Sequence, residues 1–333
     1  MENTMSGMKR LIGAVLALLL SGTLAAAQTA SNAASFPNRP IRIVVPFPAG
    51  GPTDILSRIV AQRMSEDWGQ PIVIENRPGA NTNIGAQMVA RAAPDGYTLL
   101  SAMDTTMVMN PASGASMPYD PFKDFAPVTL LAKNTSLLTV RAADGPKTVK
   151  ELIARGKASE KKLSYGAGIT ITRLAGYQFA RMAGFEVVLI PYKGSSEVVH
   201  GLLSGSVDFI VDGVASSLPL IQSGKFRALA KLNNRPLPSL PDLQPLSQAA
   251  GLPHLGEMSS WIGLVAPAGT PPAVVEKIRA EVARIYADPV IADKLAKVGI
   301  SAVSSTPAEF DQFYRGEAAL WTKVFKDSPL KLH

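Results

Sequence analysis

Apolar residues along this chain recur with two different periods. Short runs rich in Val and Ile predict buried strands, and apolar positions at i, i+3 and i+4 predict amphipathic helices. Ile41–Phe47 is the first strand, followed by the turn Pro48-Ala49-Gly50-Gly51-Pro52. Thr53 is then placed to cap a helix bearing Ile55, Leu56, Ile59, Val60 and Met64 on one face. Pro71–Glu75 is a second strand, Thr82 or Asn83 caps a helix through Ile84, Met88 and Val89, and Tyr97–Met103 is a third strand. Strand and helix alternate, so the connections are βαβ crossovers and the sheet is mainly parallel.

The alternation resumes downstream. Val128–Ala132 and Leu137–Arg141 read as strands joined by Lys133-Asn134-Thr135-Ser136, and Thr148 with Glu151 forms a capping box for the next helix. Further strands fall at Leu163–Tyr165, Val187–Ile190, Val207–Val211, Phe226–Leu232 and Trp261–Ala266, with helices near 172–183, 195–204 and 215–222 between them. A helix begins at Thr270-Pro271 and a last one at Thr306-Pro307-Ala308-Glu309, the latter with a second capping box. About ten strands exceed what one twisted open sheet holds comfortably. The expectation is an α/β protein of two lobes, one made of residues 36–133 plus 261–333, the other of 134–260, each a mainly parallel sheet flanked by helices.

The first 27 residues change the picture. Lys9 and Arg10 precede an apolar run, Leu11–Leu20, and Ala25-Ala26-Ala27 supplies the small side chains of a cleavage site, so residues 1–27 read as a secretory signal peptide. The run is too short and too broken by Gly and Ser to span a membrane, which needs ~20 apolar residues. There is no cysteine. Disulfides, thiol catalysis and a lipid-modified N-terminal cysteine are therefore excluded. The formal net charge of +7 is spread out. The densest basic stretch, Lys147–Lys162, is interrupted by Glu151 and Glu160 and lacks interleaved aromatics, so no nucleic-acid partner is expected.

A catalytic or metal role has little support. The three histidines are His200, His254 and His333, and His200 sits on a helix among Val198, Val199, Leu202 and Leu203. No metalloprotease, hydrolase-elbow, Walker or dinucleotide motif occurs. Asp208 and Asp212 flank a strand without further ligands. No enzyme activity, cofactor or metal is expected. The sequence does offer glycine-rich turns at helix starts. Pro48-Ala49-Gly50-Gly51 is one, and Gly166-Ala167-Gly168-Ile169-Thr170-Ile171-Thr172-Arg173 is its counterpart in the second half. Unpaired N–H groups at a helix start carry partial positive charge and suit a carboxylate or phosphate. Alone, such a loop reads first as an ordinary βα turn; two of them facing each other across a cleft favour a binding site.

Six segments carry a family resemblance: Ile41–Arg58, Trp68–Gly79, Ala93–Leu100, Met117–Pro121, Pro191–Gly194 and Ala266–Pro271. In that order they resemble the substrate-binding receptors of tripartite tricarboxylate transporters, also called Bordetella uptake gene (Bug) proteins. The resemblance implies a two-lobed, type II-like periplasmic binding protein fold, monomeric, closing on a small carboxylate and presenting it transiently to membrane transporter subunits. It assigns the first-lobe side to Phe47, Pro48, Ala49, Gly50, Gly51, Thr53 and Asp54, with Asn83 beside them. The opposite side maps to Gly166, Ala167, Gly168, Ile169, Thr170, Thr172 and Arg173, with Tyr192, Lys193, Gly194 and Asp212 at neighbouring strand ends. Lys193 stands as a cationic partner or as an ordinary surface lysine. Other roles on this scaffold are an orphan sensor for a signalling receptor and a periplasmic enzyme.

Two departures from the family pattern matter. Asn81-Thr82 stands where the family has two glycines. The second loop is shorter, with Arg173 where a histidine is usual. Arginine adds a permanent charge and a two-pronged fork for carboxylate, or turns to solvent.

Overall fold

The computed structural model describes residues 35–253, 255 and 258–326. The signal peptide expected over residues 1–27, together with His254 and His333, lies outside them.

The chain begins with strand β1 (Ile41–Val45), helix α1 (Pro52–Trp68), strand β2 (Ile72–Asn76), helix α2 (Asn83–Ala90) and strand β3 (Thr98–Met103). Strand β4 (Phe125–Asn134) runs into β5 (Ser136–Arg141) with Thr135 alone between them. Then come α3 (Val149–Ala158), β6 (Leu163–Ala167), α4 (Thr170–Ala183), β7 (Val187–Pro191), α5 (Ser195–Leu203), β8 (Phe209–Gly213), α6 (Val214–Gln222) and β9 (Phe226–Lys231). The chain closes with β10 (Ser260–Pro267), α7 (Pro272–Tyr286), α8 (Pro289–Lys297), β11 (Ile300–Ala302) and α9 (Pro307–Lys326).

These strands make two sheets, ordered β11-β4-β10-β3-β1-β2 and β7-β6-β8-β5-β9. The two lobes are therefore α/β. Each sheet, however, is mixed rather than mainly parallel. β1 pairs in parallel with β2 and β3, and β6 with β7 and β8, as helical crossovers require. β4, β10 and β11 are antiparallel to their neighbours, and so is β5 to β8 and β9. The reason lies in the crossing: β4 passes straight into β5 with no helix to turn it round, so β5 enters the second sheet against the direction of β8.

Alternation along β1 distributes its side chains to both faces of the first sheet. Ile41, Ile43 and Val45 join Leu56, Val60, Met64, Ile278 and Val282 from α1 and α7, whereas Val44 joins Ala86, Val89, Phe310 and Tyr314 from α2 and α9. In the second lobe Tyr165, Phe179 and Phe209 anchor one face, and Val198, Leu202 and Ile210 the other. Ile169 and Ala215, both from the second lobe, pack against the first lobe's core. The lobes thus touch along their strand ends.

Local details depart from expectation in four places. α1 starts at Pro52 with Gly51 as its extended cap, and the Thr53 hydroxyl donates instead to the Met103 sulfur at 2.9 Å. Proline already fixes φ for the first helical turn, so no side-chain cap is needed there. The Thr148 hydroxyl does cap α3 by accepting from the Glu151 N–H, but the Glu151 carboxylate reaches Lys147 N–H rather than closing the box on Thr148. The segment after β3 folds as a π-helical turn, Thr105–Met109, and α8 with β11 had no counterpart in the pattern.

Candidate functional site

Four helices begin where parallel strands end, and all four starts meet at one cavity. The cap residues Gly51 of α1, Ile169 of α4, Gly194 of α5 and Gly213 of α6 all line it, after strands β1, β6, β7 and β8 respectively. Phe47, Pro48, Pro52, Thr53, Met103, Asn134, Ser136, Ser195, Asp212 and Ser260 complete the wall. Each helix start leaves N–H groups unpaired within its own helix and the positive end of its dipole facing inward. The volume is about 30 Å³, room for roughly two water-sized groups.

Close backbone approach explains the glycines here. A Cβ on Gly194 would meet the Pro48 ring at 3.0 Å, and one on Gly213 would meet Pro52 Cγ at 2.7 Å. Both contacts run from one lobe to the other. The Ser196 hydroxyl donates to the Ala49 carbonyl at 2.7 Å across the same gap. Glycine in this place lets the two loops touch without a side chain between them.

Phe47 also borders a second, wider groove of about 370 Å³ between the lobes. Gly79, Ala80, Asn81 and Thr82 form the lip on one side, and Gly168, Arg173, Tyr192 and Lys193 the wall on the other. Ala80, Asn81 and Thr82 all have positive φ, of 45°, 50° and 77°. Three consecutive non-glycine residues in the left-handed region are strained, most of all the β-branched Thr82. Glycines in the family pattern at two of these places fit that geometry. The strained turn is held by Asn110, whose amide donates to the Asn81 carbonyl at 2.7 Å and to Asn83 Oδ1 at 3.1 Å.

Arg173 lies in the groove wall. Its Nη2 reaches the Tyr192 carbonyl at 3.2 Å and the Gly168 carbonyl at 3.4 Å, both long, and its Nε is buried without a partner. Burial pushes the guanidinium below its ordinary value. No carboxylate is among these neighbours, so a half-buried cation has spare donors facing a cleft. Asp212 is the converse case. It is buried and accepts from the Ser195 hydroxyl at 2.7 Å and the Ser216 hydroxyl at 2.5 Å. Burial raises it to about 6 against the pull of those hydroxyls.

The residues named from sequence thus divide. Phe47, Pro48, Gly51, Thr53, Ile169, Gly194 and Asp212 reach the inner cavity, and Phe47, Gly168, Arg173, Tyr192 and Lys193 the outer groove. Ala49 and Gly50 lie at the lobe–lobe contact through Ser196. Gly166, Ala167, Thr170 and Thr172 are buried at the end of β6 and the start of α4, with the Thr172 hydroxyl donating to the Ile169 carbonyl at 2.9 Å. The Tyr192 ring lies over Gly166, where a Cβ would come within 2.9 Å of it.

Two of the expected residues make other contacts. Asn83 turns from the cleft to Asn110 and the Tyr119 hydroxyl, because the strained turn before α2 needs its oxygen. Asp54 is spent on Gly50 N–H in its own loop, on Arg58 of α1 and on Asn76 at the end of β2. Sequence reasoning passed over Asn134, Ser136, Ser195, Gly213 and Ser260. Lys133–Ser136 was visible as the crossing between lobes, and a polar Asn-Thr-Ser in a crossing looks like a linker. Among the described residues no three His, Cys, Asp or Glu side chains gather to hold a metal.

Two α/β lobes whose helix starts converge on a cavity between them define a two-lobed solute-binding protein of the periplasmic type. Residues 56–330 match the tripartite tricarboxylate transporter family receptor, and the chain belongs to that family. A protein from a Pseudomonas species, encoded in the tcbD–tcbE intergenic region, is 36% identical over 92% of each chain. BugT of Bordetella pertussis is 29% identical over 98% of this chain and 99% of its own. Among solved structures, a Rhodopseudomonas palustris protein with adipate superposes with TM-score 0.84 at 34% identity, covering 88% of this chain and 98% of that one. MatC of the same species, with bound malate, gives 0.79 at 30%, covering 87% and 100%. The periplasmic binding protein BugD gives 0.78 at 31%, covering 87% and 98%. The family and these neighbours are binding proteins, not enzymes.

Proposed function

We propose that this protein captures a small carboxylate between its lobes and presents it to the membrane subunits of a tripartite tricarboxylate-type transporter, without catalysing a reaction. The observation that carries this reading is the convergence of four helix starts on one cavity. Their unpaired N–H groups suit an anion, and little else in the inner wall except Asp212 carries charge. The carboxylate sits against Gly51, Ile169, Gly194 and Gly213. The rest of the ligand extends past Phe47 towards Arg173 and Lys193. Adipate and malate in the solved relatives support a carboxylate of this size.

The lobes, 36–133 with 261–333 and 134–260, move as bodies about the crossings at Thr135 and before Ser260. Ligand favours the closed arrangement because only there do both lobes' helix starts reach it. The leader over residues 1–27 delivers the protein to the periplasm, where it works as a monomer.

The test is a thermal-shift screen of protein recovered from the periplasm, against carboxylic acids and their amides. At 100 times its Kd a ligand that binds only the folded state stabilises it by ~2.7 kcal/mol. A shift with an acid that disappears on amidation is expected. No shift with any acid, in protein stripped of bound ligand by unfolding and refolding, overturns the reading.

A further inference from the structure

Asn134 has no part in the reading so far. It is the last residue of β4, 3% exposed, and both atoms of its side-chain amide are buried without a hydrogen-bond partner. That is unusual. Buried polar side chains are nearly always paired, and an unpaired one is costly. Here the amide belongs to the wall of the inner cavity, with Asp212, Ser195 and the four helix starts. The cavity is only about 30 Å³. Whatever stands against the helix starts is therefore within reach of Asn134 as well.

An amide carries two different faces. Nδ2 donates and Oδ1 accepts. A bare carboxylate offers only acceptors, so it can satisfy Nδ2 and leaves Oδ1 buried and unpaired. Asp212 sharpens the mismatch. It is a second acceptor in the same wall, and none of the side chains lining the inner cavity is Lys, Arg or His. The helix starts answer the carboxylate. Asp212 already has both oxygens taken by Ser195 and Ser216, so it is Asn134 Oδ1 that nothing in an unsubstituted acid answers.

We infer that the inner cavity selects carboxylates bearing a hydrogen-bond donor on the adjacent carbon, a hydroxyl or an ammonium, with Asn134 as the residue that reads it. This rests on the carboxylate reading above and names its substrate class. The carboxylate faces the helix starts and Asn134 Nδ2, and the neighbouring donor faces Oδ1 and the Asp212 side. Asn134 acts on specificity through direct contact with the ligand.

The experiment is titration calorimetry with succinate, malate and aspartate, which share a four-carbon diacid frame and differ only at the carbon next to one carboxylate. In the wild-type protein malate or aspartate is expected to bind at least about tenfold tighter than succinate, the usual penalty when a site's buried polar group loses its partner. In Asn134→Leu, close in shape but unable to hydrogen-bond, the ratio collapses towards one. Asn134→Ser, a smaller side chain that keeps a hydroxyl, retains part of it and guards against misfolding of the leucine variant. A malate advantage without an aspartate advantage assigns the donor as a hydroxyl, and the reverse assigns an ammonium; either supports the inference. Equal binding of all three overturns it while leaving the carboxylate reading intact, as does a selectivity that survives in Asn134→Leu. Failure of every acid in the thermal-shift panel to bind overturns both.

Discussion

The two loops that face each other across the cleft solve the same problem differently. In the first lobe, Asp54 is buried beneath the Phe47–Asp54 loop and every charge is answered. Its carboxylate accepts from Gly50 N–H at 2.9 Å, Arg58 Nε at 3.0 Å and Asn76 Nδ2 at 2.9 Å, and Asn76 also donates to the Phe47 carbonyl at 3.1 Å. Burial would raise Asp54, but these hydrogen bonds outweigh it and hold the carboxyl below its ordinary value. In the second lobe, Arg173 is a cation without a carboxylate and Asp212 a carboxylate without a cation. One face is electrostatically closed. The other leaves Arg173 with unspent donors and Asp212 without a cation, which is where discrimination between ligands has to come from.

The strongest way to break the comparison is to stop the faces meeting. Gly194→Ala combined with Gly213→Ala sets a Cβ against Pro48 at 3.0 Å and Pro52 at 2.7 Å. Gly194 is fully extended and Gly213 has φ −65°, so neither alanine strains its own backbone. Overpacking of ~1–3 kcal/mol at each contact falls on the closed state alone. Affinity for the best acid is expected to fall about 100-fold by calorimetry, with the unliganded melting temperature unchanged. Undiminished affinity sinks the closure described above.

Removing the first loop's staple comes next. Asp54→Ala strands Gly50 N–H and Asn76 and is expected to lower stability by about 2–3 kcal/mol in urea titration. Arg173→Met is expected to do the reverse. It weakens binding roughly tenfold, while stability holds or rises because a half-buried cation short of partners is gone. Arg173→Lys restores part of the affinity, since a point charge lacks the fork. A melting temperature that collapses in Arg173→Met makes the residue structural instead.

The smallest effect is in pH dependence, where the two aspartates have opposite signs. Asp54 is lowered in the folded state, so its stabilisation is present above the unfolded value of 3.8 and is lost as pH falls through its folded value. Asp212 is raised to about 6 from 3.8. Between those values the folded protein holds a proton that the unfolded chain has lost, so stability falls as pH rises from about 4 to about 6. Asp212→Asn removes that slope and Asp54→Asn does not. Denaturant unfolding at pH 4.5 and 7 distinguishes them, and an unchanged slope in Asp212→Asn refutes the assignment.

Much of this was readable without coordinates. Val and Ile runs, proline and glycine turns, and the Thr306/Glu309 capping box place nearly every element to within two or three residues. The box is closed as expected, with Thr306 N–H donating to Glu309 Oε2 and Glu309 N–H to the Thr306 hydroxyl. These features are local. Each depends on side chains within one turn or one strand period, so a single sequence contains them. The glycine-rich loops were legible for the same reason, and the six ordered motifs named the family.

What the chain alone did not reveal depends on residues far apart in sequence. The direction of β5 follows from a straight passage between sheets, not from its own composition. Asn83 and Asp54 resemble cleft residues by position, yet Asn110 and Asn76 take their oxygens. Asn134 looks like linker because its neighbours along the chain are Lys133 and Thr135. Its neighbours in space are Asp212, Ser195 and Ser260. Whether a polar side chain is paired or left facing a cavity is decided by what packs around it, and tertiary structure alone brings those partners together.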